Sequence, residues 1–295
     1  MLGIESRIEG VLSTVNELRS HQQDQEHQAI IDWLTPVNYA PQQNDFIAQR
    51  QEGTGEWLLE SNEFQQWLTQ SNQTLFCPGM PGAGKTIITS IVVHYLYGLF
   101  GSDPTVGIAY LYCNFRQQHE QRPTDLILNV LKQFIQGQFS IPEIVQNLYS
   151  HHKPKQTRPP PDEFLSVLHH VTASYKRAFI IIDALDECQV SHGGREIFLR
   201  EILSLQVKAK VNLFVTSRFI EEIQAKFDKS IKLEIYANNK DVKKYLDKKL
   251  QDFPSLVLKD HSLQVEIKSK IAKAVNGMHV LHSILKELTK LANLK

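Results

Sequence analysis

Read for apolar and polar positions alone, the chain changes character at Trp57. Upstream, Ile4, Ile8, Val11, Val15 and Leu18 recur at gaps of four, three, four and three, the stripe of a helix over residues 2–19. That stripe covers about two and a half heptads, short for a coiled coil, so the helix either docks on its own domain or associates with a second copy. The polar, Gln-rich run 20–28 continues it as a helix face or a spacer. Ile30, Ile31, Trp33 and Leu34 form a small apolar cluster stopped by Pro36, and the Gln-, Pro- and Gly-rich segment 36–56 reads as a connection.

From Trp57 onward, short apolar runs alternate with helical patterns. Strands are expected at 75–77, 106–113, 179–183, 211–216 and 231–236. Helices are expected at 84–97, at 123–138 with Pro123 in the first turn, from a cap at Asp162 to Tyr175, and at 195–207, with a short one before the last strand. The tract 153–161 ends in three prolines and reads as an exposed loop favouring polyproline conformation. After Asn238 only helices are expected, at 238–250, 262–275 and 278–292. Nearly continuous apolar strands separated by helices imply a parallel sheet covered on both faces. The expected fold is therefore α/β, a three-layer sandwich with a parallel sheet, an N-terminal helical arm and a partial C-terminal helical cap. Its expected divisions are an arm at 1–28, a linker and lead-in at 29–56, the core at 57–236 and an incomplete cap at 237–295.

Composition narrows the class. With 42% hydrophobic residues the chain can build a core, and a formal net charge of zero argues against a protein made mainly to neutralise nucleic-acid phosphates. The balance is uneven, since fifteen lysines face eight acids from Lys226 onward. That stretch is either a solvated helical face or a surface for an acidic partner. Cys77, Cys113 and Cys188 lie in or beside apolar runs without metal-ligand spacing, as buried thiols of a reducing compartment would. No apolar run approaches a membrane span, and no leader pattern opens the chain. The expected location is cytoplasmic.

The chemistry lies in three segments. Gly79-Met80-Pro81-Gly82-Ala83-Gly84-Lys85-Thr86 fits G-x-x-x-x-G-K-[ST] between an expected strand and an expected helix, with Ile87 next on that helix. Glycines let backbone N–H groups turn toward phosphate, the helix start adds its dipole, Lys85 reaches the β- and γ-phosphates, and Thr86 ligates Mg²⁺. The apolar run 179–182 ends in Asp183, placed to hold the metal, and Asp186 and Glu187 follow on a loop where either can orient the attacking water. The run 212–216 leads through Ser217 to Arg218, whose planar fork suits a γ-phosphate sensor or simply caps a turn. Together 79–86 and 179–187 are expected to make a Mg·NTP site, which makes the expected α/β sandwich that of a P-loop NTPase. Asn238-Asn239-Lys240-Asp241 misses the guanine motif N-K-x-D and reads as a helix start capped by Asn238 or Asn239, so ATP/ADP is the expected ligand.

At these residues the chain resembles fungal NACHT-domain proteins of the signal-transducing ATPase class, whose members commonly continue into ankyrin or WD repeats. The resemblance rests on 77–86, on Ile181-Ile-Asp-Ala-Leu-Asp-Glu-Cys188 with its small residue Ala184, and on Phe214-Val-Thr-Ser-Arg218. Arg50-Gln-Glu-Gly-Thr-Gly-Glu-Trp57 and Cys113-Asn-Phe-Arg116 are also similar. It implies an NLR-like switch that cycles between ATP and ADP by slow hydrolysis. It also places the lead-in 53–57 near the base, with Trp57 either core or stacking platform. Asn276-Gly-Met-His-Val-Leu281 departs from the family's Asn-Gly-Met-Phe-Leu-Leu, and the chain reaches Lys295 before any winged-helix unit, which reads as a fragment or a shortened member with an open nucleotide cleft. Rival expectations are a metabolic or mobile-element ATPase or kinase, and a nucleotide-binding interaction module without turnover. Expected partners are the nucleotide and a protein or second copy at the N-terminal helix, with no membrane and no nucleic acid.

Overall fold

The computed structural model describes residues 2–117, 121–188 and 193–249. The helices expected at 262–275 and 278–292, and the departure at 276–281, lie outside them. In chain order the elements are α1 (Leu2–Leu34), α2 (Ala40–Gln49), α3 (Glu56–Leu59), α4 (Asn62–Thr69), β1 (Thr74–Pro78), α5 (Lys85–Phe100), β2 (Val106–Tyr112), α6 (Pro123–Gln136), α7 (Glu143–His152), α8 (Pro161–Ala173), β3 (Arg177–Asp183), α9 (Gly194–Ala209), β4 (Val211–Ser217), α10 (Glu221–Lys226), β5 (Ile231–Lys232) and α11 (Asn239–Lys249).

The five strands form one parallel sheet in the order β2-β3-β4-β1-β5. Period-two alternation sorts its side chains into two apolar layers. On one face Phe179 and Phe214 meet Trp67 of α4, and Phe179 also stacks on Phe100 of α5. Trp67 is fully buried with its indole N–H donating to the Leu213 carbonyl (2.8 Å). Burial of a ring that size contributes up to about 6 kcal/mol. On the other face Phe76 stacks on Phe227, and α9 lies on β4 with α6 and α8 beside it. The expected three-layer α/β sandwich is what the chain adopts. At the outer edge, the Gln133 amide both accepts from Tyr110 N (3.0 Å) and donates to Tyr110 O (2.8 Å). That occupies an edge that would otherwise invite another strand.

Several local expectations change. The segment 36–56 contains a ten-residue helix, α2, packed on α5, with Pro41 accommodated at its start. The end of α1 belongs to the core: Ile30, Ile31 and Leu34 are buried, Arg158 donates to the carbonyls of Trp33 (2.7 Å) and Leu34 (3.3 Å), and Lys132 to that of Thr35 (2.8 Å). Cations at a helix C-terminus satisfy its orphan carbonyls and oppose its dipole. The stripe residues Ile4, Ile8 and Val11 have side chains outside the described set, while Val15 and Leu18 are exposed. Helix α7 had no counterpart in the sequence reading. Helix α8 starts at Pro161 with Pro160 at the cap position, whose side chain cannot accept a hydrogen bond, so Asp162 lies in the first turn and is not its cap. The expected strand 231–236 is regular only at Ile231–Lys232, yet Leu233 N still donates to Phe76 O (3.1 Å) and Ile235 N to Pro78 O (2.8 Å). Asn238 caps α11, accepting from Lys240 N (2.8 Å). Among the described residues no helix is long and apolar enough to cross a membrane.

Candidate functional site

The glycine loop leaves β1 at Pro78 and enters α5 at Lys85. Gly79 has no room for a side chain, since a Cβ there would meet the Ile235 carbonyl oxygen at 2.4 Å. Gly84 takes φ 92°, a left-handed value that lets α5 start immediately afterwards with its N-terminus toward the loop. Met80 and Pro81 are exposed, Gly82 partly so, and Ala83 is buried. Lys85 Nζ donates to the carbonyls of Gly79 (2.9 Å) and Met80 (3.0 Å), and burial lowers its pKa from the usual lysine value. Ile87 faces the cavities on either side of the loop.

Asp183, at the end of β3, is buried and accepts hydrogen bonds from three hydroxyls: Thr86 (2.7 Å), Thr89 (2.8 Å) and Thr216 (2.7 Å). Burial raises its pKa above the usual carboxylate range, and the three hydroxyls oppose that rise. Thr89 and Thr216 were not singled out from the sequence. Thr89 lies one helical turn beyond Thr86, and Thr216 stands inside the 214–218 motif, so both positions carried a readable signal. A hydroxyl and a carboxylate brought together beside a phosphate loop are the protein donors that Mg²⁺ takes alongside phosphate oxygens and water. Thr86 and Asp183 therefore fit that ion.

The three remaining candidates occupy different positions. Ala184 adopts φ 51°, bonded through its N–H to Thr216 Oγ1 (2.9 Å), and this turn points Asp186 and Glu187 apart. Asp186 is buried and accepts from both Arg218 N (3.0 Å) and Arg218 Nε. That bond raises the Arg218 pKa further, with half of the Arg218 side chain still exposed. Glu187 instead lines a cavity of about 500 Å³ together with Thr86, Asp183 and Arg116. It accepts from Phe115 N (3.2 Å), and burial raises its pKa.

A second cavity, about 420 Å³, lies on the other side of the loop between Gly84, Ile88, Ile91, Trp57, Tyr236 and Asp241. The Trp57 and Tyr236 rings stand 5.2 Å apart at 34°, so Trp57 forms a wall of this cavity. Asp241 joins the lead-in to α11 by accepting from Gly55 N (2.9 Å).

The cysteines depart from expectation. Cys113 and Cys188 form a disulfide, with Cα atoms 5.4 Å apart, and among the described residues only Cys77 is a free thiol, its pKa pushed up by burial. The reason is topological. Pairing of Tyr112 with Asp183 in β2 and β3 carries Cys113, one residue past β2, and Cys188, at the end of the turn after β3, into bridging range, which a separation of 75 positions conceals.

A family model described as "Nephrocystin 3, N-terminal" matches residues 53–218, which span the loop, the acidic turn and Arg218. No curated protein matches the chain. Solved structures similar to it include the replication initiator DnaA bound to AMPPCP and single-stranded DNA, at 14% identity over 82% of this chain and 63% of that one, with a TM-score of 0.45. The AMPPCP-bound DnaA of Aquifex aeolicus is 12% identical, covering 83% and 64%, with a TM-score of 0.42. The Aeropyrum pernix Orc1 protein in complex with DNA is 16% identical, covering 84% and 59%, with a TM-score of 0.43. The chain spans less than two thirds of the length of each.

Proposed function

Because this chain belongs to the nephrocystin 3 N-terminal family, we propose that its phosphate loop binds Mg·ATP and Mg·ADP and that slow hydrolysis switches it between them, in the manner of NACHT-type signalling ATPases. The observation carrying this reading is the Thr86 hydroxyl donating to Asp183, next to Lys85, in a cavity that Glu187 also lines.

Each residue then has a distinct task. Backbone N–H groups of 79–87 and the α5 N-terminus receive the phosphates. Lys85 exchanges the two carbonyls it now bonds for phosphate oxygens, a better match for an ammonium. Thr86 and Asp183 hold Mg²⁺, which when bound neutralises charge on the phosphates. Glu187 orients the attacking water, because it lines the cavity of Thr86 and Asp183, whereas Asp186 lies buried against Arg218. The hydrogen bond from Phe115 to Glu187 competes with that task and favours slow turnover. Asp186 fixes Arg218 at the end of β4, where its exposed edge serves as γ-phosphate sensor. Adenine occupies the Trp57–Tyr236 cavity, whose walls are largely aromatic and aliphatic. On the motif resemblance we place the chain in a cytoplasmic, NLR-like signalling or incompatibility system of a fungus. Exposed Val15 and Leu18 support a protein partner at α1.

Calorimetric titration of Mg·ATP and Mg·ADP into wild type and Lys85→Ala tests the site. The variant should lose binding of both. Equal affinities in the two proteins would remove the loop from the mechanism.

A further inference from the structure

Arg116 has no part in the account above, yet it lines the cavity of Thr86, Asp183 and Glu187. It leaves the sheet just past Tyr112, the residue paired with Asp183 across β2 and β3. The backbone that leads to it is pinned. Arg116 N donates to the Asn114 side chain (3.0 Å), Asn114 N donates to Gln121 Oε1 (2.9 Å), and the intervening Phe115 N holds Glu187. The guanidinium itself lies 5.5 Å from the Phe115 ring centroid and makes no ion pair or hydrogen bond among the described residues. The other two cations at the site are engaged, Arg218 with the Asp186 carboxylate and Lys85 with two loop carbonyls. An exposed guanidinium on the wall of the cavity that Thr86, Asp183 and Glu187 also line is a donor fork awaiting an anion that arrives with the ligand.

We infer that Arg116 binds the terminal phosphate of the triphosphate and so sets the preference for ATP over ADP. The inference rests on the nucleotide reading above. Cleavage of the terminal phosphate removes the one group that Arg116 contacts, so the bond exists in one state of the cycle only. Such a differential contact is what a two-state switch needs in order to respond to its ligand. Through Phe115, the same short segment also holds Glu187.

The test is calorimetry on the 295-residue chain with Mg·ADP and with a non-hydrolysable, methylene-bridged ATP analogue, comparing wild type, Arg116→Ala and Arg116→Lys. A hydrogen bond to a charged group is worth about 1.5–3 kcal/mol, so Arg116→Ala should weaken the analogue by about 10- to 150-fold. ADP affinity should stay within about threefold by the same logic, since no charge-assisted bond to it is lost. Arg116→Lys should fall between, keeping the charge without the fork. Thermal melts identify any variant that fails to fold, in which case Arg116→Gln replaces it. Unchanged affinity for the analogue overturns the inference. So does an equal loss for both nucleotides, which would mark Arg116 as a support of the loop rather than a reader of the terminal phosphate. A wild-type chain that binds neither ligand would instead refute the nucleotide site itself, and this inference with it.

Discussion

Asp183 is placed where its ionised form is useful to a metal and costly to the fold, and Asp183→Asn separates the two. Three hydroxyls donate to the carboxylate at 2.7–2.8 Å. At roughly 1.5–3 kcal/mol per bond to a charged acceptor they offset about 5–9 kcal/mol. Burying an ion in protein costs several kcal/mol even after relaxation, so the two quantities are close. The direction of the Asp183 pKa favours the burial cost: it is raised, with burial as the first cause and the three hydroxyls opposing it. Asparagine keeps the shape and an acceptor for Thr89 and Thr216, and Thr86 can turn its hydroxyl to accept from the new amide. We expect Asp183→Asn without Mg²⁺ or nucleotide to be more stable at neutral pH by on the order of 1 kcal/mol, about 2–4 °C in Tm. The sign with pH follows by linkage. A carboxyl whose folded pKa is raised binds protons more tightly in the folded state, so wild type gains stability as pH falls through that raised value. The gap should therefore close on acidification, since protonated Asp183 no longer pays for burial. With Mg·ATP the order should reverse, because only wild type gains the full mass-action stabilisation. Differential scanning fluorimetry in chelator at several pH values, with and without Mg·ATP, measures all three. A ligand-free variant melting several degrees below wild type at neutral pH would refute the reasoning.

Two further outcomes follow from the same geometry. Glu187→Gln should retain nucleotide affinity and lose hydrolysis by about 10²- to 10⁴-fold, the range for removing a general base; wild-type phosphate release by this variant would exclude Glu187 from orienting water. Gly79→Ala should destabilise the chain by about 1–3 kcal/mol, the usual cost of forcing an atom into packed structure, because its Cβ meets the Ile235 carbonyl oxygen at 2.4 Å. Urea unfolding would measure that cost, and an unchanged midpoint would show that residue 235 yields freely.

What was readable in the chain and what was not divide along a physical line. The sheet and the phosphate loop are written locally: apolar runs such as 179–182 have no alternative to burial on both faces, and Gly79–Thr86 carries its own backbone requirements. The features that escaped are made by residues distant in sequence whose proximity only the strand order creates. Segment 36–56 is polar enough to pass for a linker, but its polarity is spent inward: Gln43 is buried, donating to Ser90 O (3.0 Å) and accepting from the Tyr112 hydroxyl. Adjacency does not tell where Asp186 and Glu187 point, because that depends on the left-handed turn at Ala184 and on Arg218, which follows β4 and holds Asp186. Cys113 and Cys188 read as separate buried thiols, and Arg116 only as part of a motif resemblance, for the same reason. Both depend on β2 lying beside β3 in the register that sets Tyr112 against Asp183. That single parallel pairing brings the end of β2 to the acidic turn, and it makes the loop after β2 a wall of the candidate phosphate cavity.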